Sequence, residues 1–419
     1  MQTIYNIIIR FYYLLILLGT LFNQKARKWV CGRKNWEKRM ENAFHPHDRV
    51  AWFHAASLGE FEQGRPVIEA FRGKYPHYKI LLTFFSPSGY EVRKDYKGAD
   101  HVFYLPLDTP YNAGKFFAIV QPKVVIFIKY EYWYNFLNEL YKNKVPVIII
   151  SAIFRPDQIF FRWYGKWFLN QLRKISMFFV QNKISLELLK DVGISQSLLS
   201  GDTRFDRVAS IASNHKENHL VDRFCSGFKV IIGGSTWPPD EKLLLSYLKS
   251  SIDPVKVIIA PHEIHEERIR SVETLFGDFQ TLRYSGATPE DVNHTKVLIV
   301  DGIGYLSGIY GYCHVAFIGG GFGKGIHNIL EAVTFGKPVI FGPAYKKFGE
   351  AVALIQKGGA FSVADESELF FYLHRLLTED SFYAEVSVIC KEFIGENTGA
   401  TKTILDVMER MIIKRQEER

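Results

Sequence analysis

The sequence predicts an α/β protein in which two doubly wound domains face a cleft behind an amino-terminal membrane-associated helix. Three observations carry this. From residue 50 onward, short β-branched and aromatic runs alternate with helical patterns, as successive βα units require. Most of these runs are continuously apolar, the mark of parallel strands covered on both faces. At 419 residues, with 47% hydrophobic content, the chain is too long for a single core.

The first element is the apolar segment Ile4 to Phe22, interrupted by Asn6, Arg10, Gly19 and Thr20. As a helix it spans roughly 28 Å, close to the thickness of a bilayer core. Arg10 would cost about 2.5–3.5 kcal/mol at the membrane centre, so it snorkels or the helix lies at the interface. Lys25, Arg27, Lys28, Arg33 and Lys34 follow and are expected to meet anionic headgroups on the cytoplasmic side. No A-x-A-like site follows, which argues against a cleaved signal peptide. A buried core helix is the competing reading.

The first-half strands are expected at Val50 to His54, Ile80 to Phe85, Val102 to Leu105, Val124 to Ile128 and Val145 to Ile150. Between Phe205 and Phe228 the apolar periodicity fades, and Asn214 to His219 is polar, which marks a hinge. The second half repeats the scheme with strands at Val230 to Ile232, Val255 to Ala260, Val297 to Val300, Val315 to Ile318 and Pro338 to Phe341. Thr401 to Arg419 reads as a helix with a solvated charged tail. The division is an anchor and basic flank over 1–34, a first domain over 35–210, and a second over 211–419 that includes the terminal helix.

The net charge of +8 favours acidic partners. Its basic residues are dispersed and no nucleic-acid-reading motif occurs, so an anionic lipid surface or a phosphorylated ligand fits better. Cys31, Cys225, Cys313 and Cys390 lie far apart without a CxxC pair, which points to neither zinc nor disulfides and suggests a reducing setting.

The strand at Val50 ends in His54-Ala55-Ala56-Ser57-Leu58-Gly59-Glu60, ahead of a helix expected to start near Glu62. Glu60 thus stands at a strand's carboxyl end, where open α/β sheets bind ligands, and is the candidate catalytic group. It equally suits a helix start, complementing the helix dipole. Glu131, in Lys129 to Asn135, is a second carboxylate at a strand end, with the same two readings. Gly201 to Arg207 contributes Arg204 and Arg207, able to hold phosphate or carboxylate in bidentate fashion or to pair with the neighbouring aspartates.

In the second half, Gly233 to Glu241 joins a strand to a helix and offers Ser235 and Thr236 as phosphate or base ligands, or merely as caps. Pro261-His262-Glu263 ends the next strand. His262 to His265 lacks the i, i+4 histidines of a zinc helix, and no metal is expected. Gly319 to Asn328 is glycine-rich and leads into a helical pattern over Ile329 to Phe335. Such a loop brings backbone N–H groups against a phosphate or simply turns tightly, and it is neither a Walker A loop nor the dinucleotide fingerprint. His327, Asn328 and Glu331 are expected on the first helical turn, where a ribose is held. The aromatic and basic run Phe160 to Phe168 suits a headgroup-level surface or a helix packed on the core.

Taken in order, the basic-flanked anchor, HAASLGE, the Glu131 segment, GDTRFD, GGSTW, PHE and GGGFGKGIHNILE with GKPVIFGP resemble the 3-deoxy-D-manno-oct-2-ulosonic acid (Kdo) transferases of lipopolysaccharide biosynthesis. The resemblance spans nearly the whole chain. It implies a GT-B fold of two Rossmann-like domains. It also implies an inverting, metal-independent and cofactor-free transfer of Kdo from CMP-Kdo to the 6′-hydroxyl of a lipid A precursor, lipid IVA, at the cytoplasmic side of the inner membrane. By resemblance, Glu60 is the general base, and Glu131 and Arg204 stabilise the transition state. The first domain takes the acceptor. In the second, Ser235, Thr236, Pro261, His262, Ile303, Gly304, Tyr305, Gly320, Gly321, Gly325, His327, Asn328, Ile329, Leu330 and Glu331 fall at the CMP-Kdo site. The chain departs from the commoner family pattern at Arg204, Tyr305 and Ile326, where Lys, Glu and Gly are frequent, and at Ser151 to Pro156. A nucleotide-sugar 2-epimerase-like isomerase and a noncatalytic membrane-bound nucleotide-binding protein are the alternatives.

Overall fold

The computed structural model describes residues 1–252 and 254–417. It divides into two compact units, residues 1–207 together with the segment from Thr398, and residues 208–397. The first unit carries β1 (Val50–Ala55), β2 (Lys79–Phe84), β3 (His101–Tyr104), β4 (Val124–Ile128), β5 (Val147–Ala152), β6 (Met177–Val180) and β7 (Ser197–Leu199). They form one parallel sheet in the order β3-β2-β1-β4-β5-β6-β7. The second unit carries β8 (Lys229–Thr236), β9 (Val255–Pro261), β10 (Thr281–Arg283), β11 (Val297–Ile299), β12 (Val315–Ile318), β13 (Val339–Phe341) and β14 (Ala360–Ser362). Its sheet is also parallel, ordered β10-β11-β9-β8-β12-β13-β14. The expected pair of doubly wound domains is therefore present.

Continuous apolar runs became strands because both faces of each sheet are covered. On β1, Val50 and Trp52 enter one core, where Trp52 meets Phe116, Phe127 and Phe136, while Ala51, Phe53 and Ala55 enter the other. Strands β6, β7, β10 and β14 are absent from the sequence reading. β7, β10 and β14 mix polar with apolar residues and are mostly half-buried or exposed, which weakens their apolar signal, whereas β6 is apolar and simply went unread.

Three expectations need correction. The terminal helix (Ala400–Glu417) was placed in the second domain, but Ile404, Leu405 and Met408 complete a first-unit core beside the helix Leu58–Lys74. Asp206 Oδ1 and Oδ2 fix its start, accepting the Gly399 and Thr401 N–H groups at 2.6 Å each. The last residues of the charged tail, 418 and 419, lie outside the described residues. The stretch expected to be a hinge instead contains the helices Thr203–Ser213 and His219–Cys225, and the boundary between units falls inside the first. The third correction concerns the basic flank. Arg33 is buried rather than presented to headgroups, donating to Leu105 O at 2.7 Å, Trp29 O at 3.0 Å and Phe85 O at 2.7 Å. Burial with carbonyl partners alone lowers its pKa to about 9.

The amino-terminal helix (Gln2–Gly19) uses one face to dock on the first unit. Tyr5 donates to Asp108 Oδ2 at 2.6 Å, Asn6 Oδ1 accepts from Asn135 at 2.9 Å, and Tyr12 and Tyr13 pack against Trp29. Its other face leaves Ile4, Ile7, Ile8, Phe11, Leu14, Leu15 and Leu18 exposed. The helix is long and apolar enough to cross a membrane, and it is not a buried core helix.

Candidate functional site

In a doubly wound sheet, the strand order reverses at one point, and the chain leaves the two strands there in opposite directions, opening a crevice at their carboxyl ends. The reversal lies between β1 and β4 in the first sheet and between β8 and β12 in the second. The segments singled out in the sequence follow these four strands. HAASLGE runs off β1 and the Glu131 segment follows β4, while GGSTW ends β8 and the glycine-rich loop follows β12.

After β1 the helix begins at Leu58, earlier than expected, with Ser57 as its N-cap. Glu60 is consequently the third helical residue, and its Oε2 accepts the Ser57 N–H at 3.1 Å and the Ser57 hydroxyl at 3.4 Å. This capping box orients the carboxylate. Glu60 is half-buried, and burial raises its pKa, with the Glu131 charge adding to the rise and His54 and Lys129 opposing it. The two carboxylates expected at strand ends are thus electrostatically coupled.

Glu131 is buried, but it does not cap the next helix, which starts at Tyr134. Its Oε2 lies 2.9 Å from His54 Nε2 and accepts the Trp133 indole N–H at 2.6 Å. His54 and Trp133 are the residues the sequence reading missed as part of this site. The signal was present in the alternation of β1, which places His54 on the same face as Trp52. Arg204 pairs with Asp202 through Nε and Nη2, each 2.8 Å from Asp202 Oδ2, and its backbone N–H donates to Oδ1 at 2.9 Å. Arg207 faces Glu62 at 3.4 Å. The aspartate pairing foreseen for this segment is therefore realised.

In the second unit, Ser235, Thr236, His262 and His327 converge at the ends of β8, β9 and β12. Trp237 stacks on His262, which stacks on His327 with ring centroids 4.4 Å apart. The Trp237 indole N–H donates to His327 Nε2 at 3.3 Å, and burial beside His262 lowers the His327 pKa to about 4. The ring stays neutral at physiological pH. A cavity of about 510 Å³ opens here, lined among others by Trp237, Asp240, Gly320, Phe322, Lys324 and His327.

Two glycines make the loop possible. Gly320 adopts φ +88°, and a Cβ there would meet Gly325 O at 2.5 Å. A Cβ on Gly319 would strike Ser235 O at 2.3 Å, because its N–H bonds Gly234 O at 2.9 Å. Asp240, also unnoticed in the sequence, ties the loops together by accepting the Trp237 N–H at 2.8 Å and the Gly320 N–H at 3.0 Å. Its buried Oδ1 has no protein partner.

Other expected donor-site residues are arranged differently. The Thr236 hydroxyl is buried and donates its hydrogen to Glu241 at 2.7 Å, inside the protein. Asn328, Ile329 and Glu331 do not share a helical turn with His327, since the helix spans only Leu330–Val333. Asn328 lies two residues before it, accepting the Leu330 N–H at 3.2 Å and donating to Glu331 at 3.0 Å, with Ile329 at the N-cap. Ile303, Gly304 and Tyr305 follow β11, where Ile303 is 87% exposed and the Tyr305 ring packs tilted against Tyr284, centroids 4.7 Å apart. They do not line the cavity. Pro261 closes β9 and is buried, and Gly321 packs against Gly342. Among the described residues, no group of three or more His, Cys, Asp or Glu is placed to hold a metal ion.

A sequence model of the 3-deoxy-D-manno-octulosonic-acid transferases (kdotransferases) matches residues 34–207. A Haemophilus influenzae 3-deoxy-D-manno-octulosonic acid transferase is 28% identical over 382 residues, covering 88% of each chain. An Aquifex aeolicus protein of the same name is 28% identical over 338 residues, covering 78% of this chain and 86% of its own. Among solved structures, the UDP-GlcNAc 2-epimerase of Neisseria meningitidis superimposes with a TM-score of 0.61 over 86% of this chain and all of its own, at 16% identity. That likeness is one of fold, the two-domain GT-B arrangement. The model match takes in Glu60, Glu131 and Arg204, and relatives of one name align across both units, so the chain resembles the Kdo transferases along most of its length.

Proposed function

We propose that the chain transfers Kdo from CMP-Kdo to the 6′-hydroxyl of a lipid A precursor, lipid IVA, with inversion and with Glu60 as general base. The observation that carries this reading is the capped, half-buried Glu60 carboxylate at the β1/β4 switch point, with a pKa raised by burial and by Glu131. A base whose pKa is raised toward the working pH removes a hydroxyl proton more effectively than an ordinary carboxylate. In a single displacement, the acceptor oxygen gives its proton to Glu60 as it bonds to the anomeric carbon, and the CMP phosphate leaves with the bonding pair. Arg204 offsets charge developing on that phosphate, and Glu131 favours the positive character of the sugar ring.

The donor fits the second-unit cavity, where the stacked Trp237, His262 and His327 suit a flat base and the Gly320 loop offers backbone close approach. The exposed apolar face of the amino-terminal helix supports attachment to the cytoplasmic face of the inner membrane. Because its opposite face is bonded to Asp108 and Asn135, we place the helix in the membrane interface rather than across the bilayer.

Turnover of the purified full chain with CMP-Kdo and lipid IVA in detergent, following CMP release and product mass, tests the reading. A mass gain of one or more Kdo units that disappears in Glu60→Gln supports it. CMP binding without product in the wild type would refute the acceptor assignment, and no CMP binding at all would refute the donor.

A further inference from the structure

A membrane anchor needs only an apolar face, yet the docked side of the amino-terminal helix (Gln2–Gly19) carries hydrogen-bonding groups that reach into the first unit. Tyr5 O–H donates to Asp108 Oδ2 at 2.6 Å, and Asn6 Oδ1 accepts from Asn135 Nδ2 at 2.9 Å. Asp108 is fully buried. Its side-chain oxygens also accept the Asn135 N–H at 3.1 Å and the Phe136 N–H at 3.0 Å, and its backbone carbonyl accepts from Asn135 Nδ2 at 2.7 Å. Those two N–H groups belong to the first turn of the helix Tyr134–Lys142, where no carbonyl of the helix itself can take them. Asp108 therefore caps that helix from a distant part of the chain, and Tyr5 holds Asp108. The Tyr5 ring also meets Tyr134 edge-on, with centroids 4.7 Å apart.

The Glu131 segment runs directly into this helix. Trp133 stands at the N-cap and donates its indole N–H to Glu131 Oε2 at 2.6 Å. A second route from the amino-terminal helix reaches the same indole. Tyr12 stacks on Phe85 with centroids 6.3 Å apart, and Phe85 packs on Trp133 at 4.7 Å. The amino-terminal helix thus supports the Glu131 segment from two sides, at Tyr134 to Phe136 through Asp108 and at Trp133 through Phe85.

We propose that the amino-terminal helix is a positioning element of the first unit's site, with Tyr5 as its positioning residue: docked, it fixes the Asp108-capped helix start and, through Trp133, the orientation of Glu131. The proposal rests on the role of Glu131 in the reading given above. Coupling of this kind is carried by contiguous packed and hydrogen-bonded groups, and every contact from Tyr5 to Glu131 is of that kind. A group that acts on a transition state must be held closely, since a shift of about 1 Å costs on the order of a hundredfold in rate. One helix then serves two purposes on opposite faces. Its aliphatic face is free for a lipid surface, and its tyrosine and asparagine face orders the site.

Tyr5→Phe keeps the ring packing and removes only the donor to Asp108. Two quantities are read on the full chain in detergent, where anchoring to a bilayer plays no part. The first is turnover with CMP-Kdo and lipid IVA, for which kcat is expected to fall about tenfold with KM for CMP-Kdo unchanged. The second is hydrogen exchange by mass spectrometry, expected to quicken at Asn135 and Phe136, the amides bound to Asp108, and not in β1 or β2. Unchanged exchange at these two amides, or faster exchange confined to Gln2–Gly19, would overturn the link between the helix and the Glu131 segment. Faster exchange there with kcat unchanged would make Tyr5 a structural contact and overturn the positioning role. Asn6→Ala, which removes only the contact to Asn135, is expected to move both quantities the same way and serves if Tyr5→Phe fails to fold. Exchange needs no substrate, so absence of Kdo transfer in the wild type would remove the functional reading while the link stays measurable.

Discussion

Glu60 caps its own helix through Ser57 and feels the charge of Glu131, so a capping role and the proposed role as base are compatible in one side chain. Glu60→Gln keeps the shape and the capping acceptor but cannot take a proton. It is expected to lower turnover by about 10²–10⁴-fold while leaving CMP binding intact, which calorimetry with CMP checks. The sign of the pH dependence follows from the raised pKa. The base is active only when ionised, so kcat/KM falls as pH drops through a pKa above the ordinary carboxylate range. A pH profile with its acidic limb at or below that range would contradict the burial argument. Glu60, Glu131 and Arg204 were each legible in the sequence, because a charged residue after an apolar strand stands out. The His54 partnership was not, since a histidine inside a strand looks like core until the next strands bring Thr83 and Glu131 to its two nitrogens.

Elements in this protein are held at their ends. Asp108 accepts Tyr5 O–H at 2.6 Å and the Asn135 and Phe136 N–H groups at 3.1 and 3.0 Å, joining the amino-terminal helix to the start of the helix Tyr134–Lys142. Burial raises its pKa to about 6. The folded state therefore binds this proton more tightly than the unfolded chain, and the site's contribution to stability declines as pH rises through about 6. Asp108→Ala strands three donors and is expected to cost about 2–4 kcal/mol, read as a lower denaturation midpoint at pH 7. In the second unit, Gly320→Ala forces a side chain into φ +88° against Gly325 O. The expected outcome is weaker CMP binding by titration calorimetry, with the first unit's stability unchanged. The strand ends and the glycine-rich loop were visible in the sequence as apolar runs stopping at glycine or proline. The short strands β7, β10 and β14 were not, because each mixes polar with apolar residues and is mostly half-buried or exposed, unlike the equally short but wholly apolar and buried β11 and β13.

At the scale of the whole molecule, the amino-terminal helix divides its faces between protein and exterior. Ile8→Glu with Phe11→Glu alters only exposed positions and is expected to reduce cosedimentation with anionic liposomes while sparing turnover in detergent. Loss of detergent activity in this variant would mean that the face serves the acceptor directly. The terminal helix offers a second test. Met408→Ala opens a cavity in a first-unit core and is expected to cost about 2–5 kcal/mol, with faster hydrogen exchange in β1 and β2 and none in β8 or β9. By itself the sequence determined the α/β class, the duplication of the doubly wound scheme, the apolar amino-terminal helix and the segments that end at the carboxyl edges of the sheets. It could do so because periodicity, strand-ending glycines and charges after apolar runs are local properties. Only the tertiary structure decided that Arg33 is buried, that the last helix returns to the first core, that Thr236 and Asn328 are spent on internal bonds, and that His54 answers Glu131. Each depends on a partner brought close by sheet order, from a distance along the chain that no local pattern records.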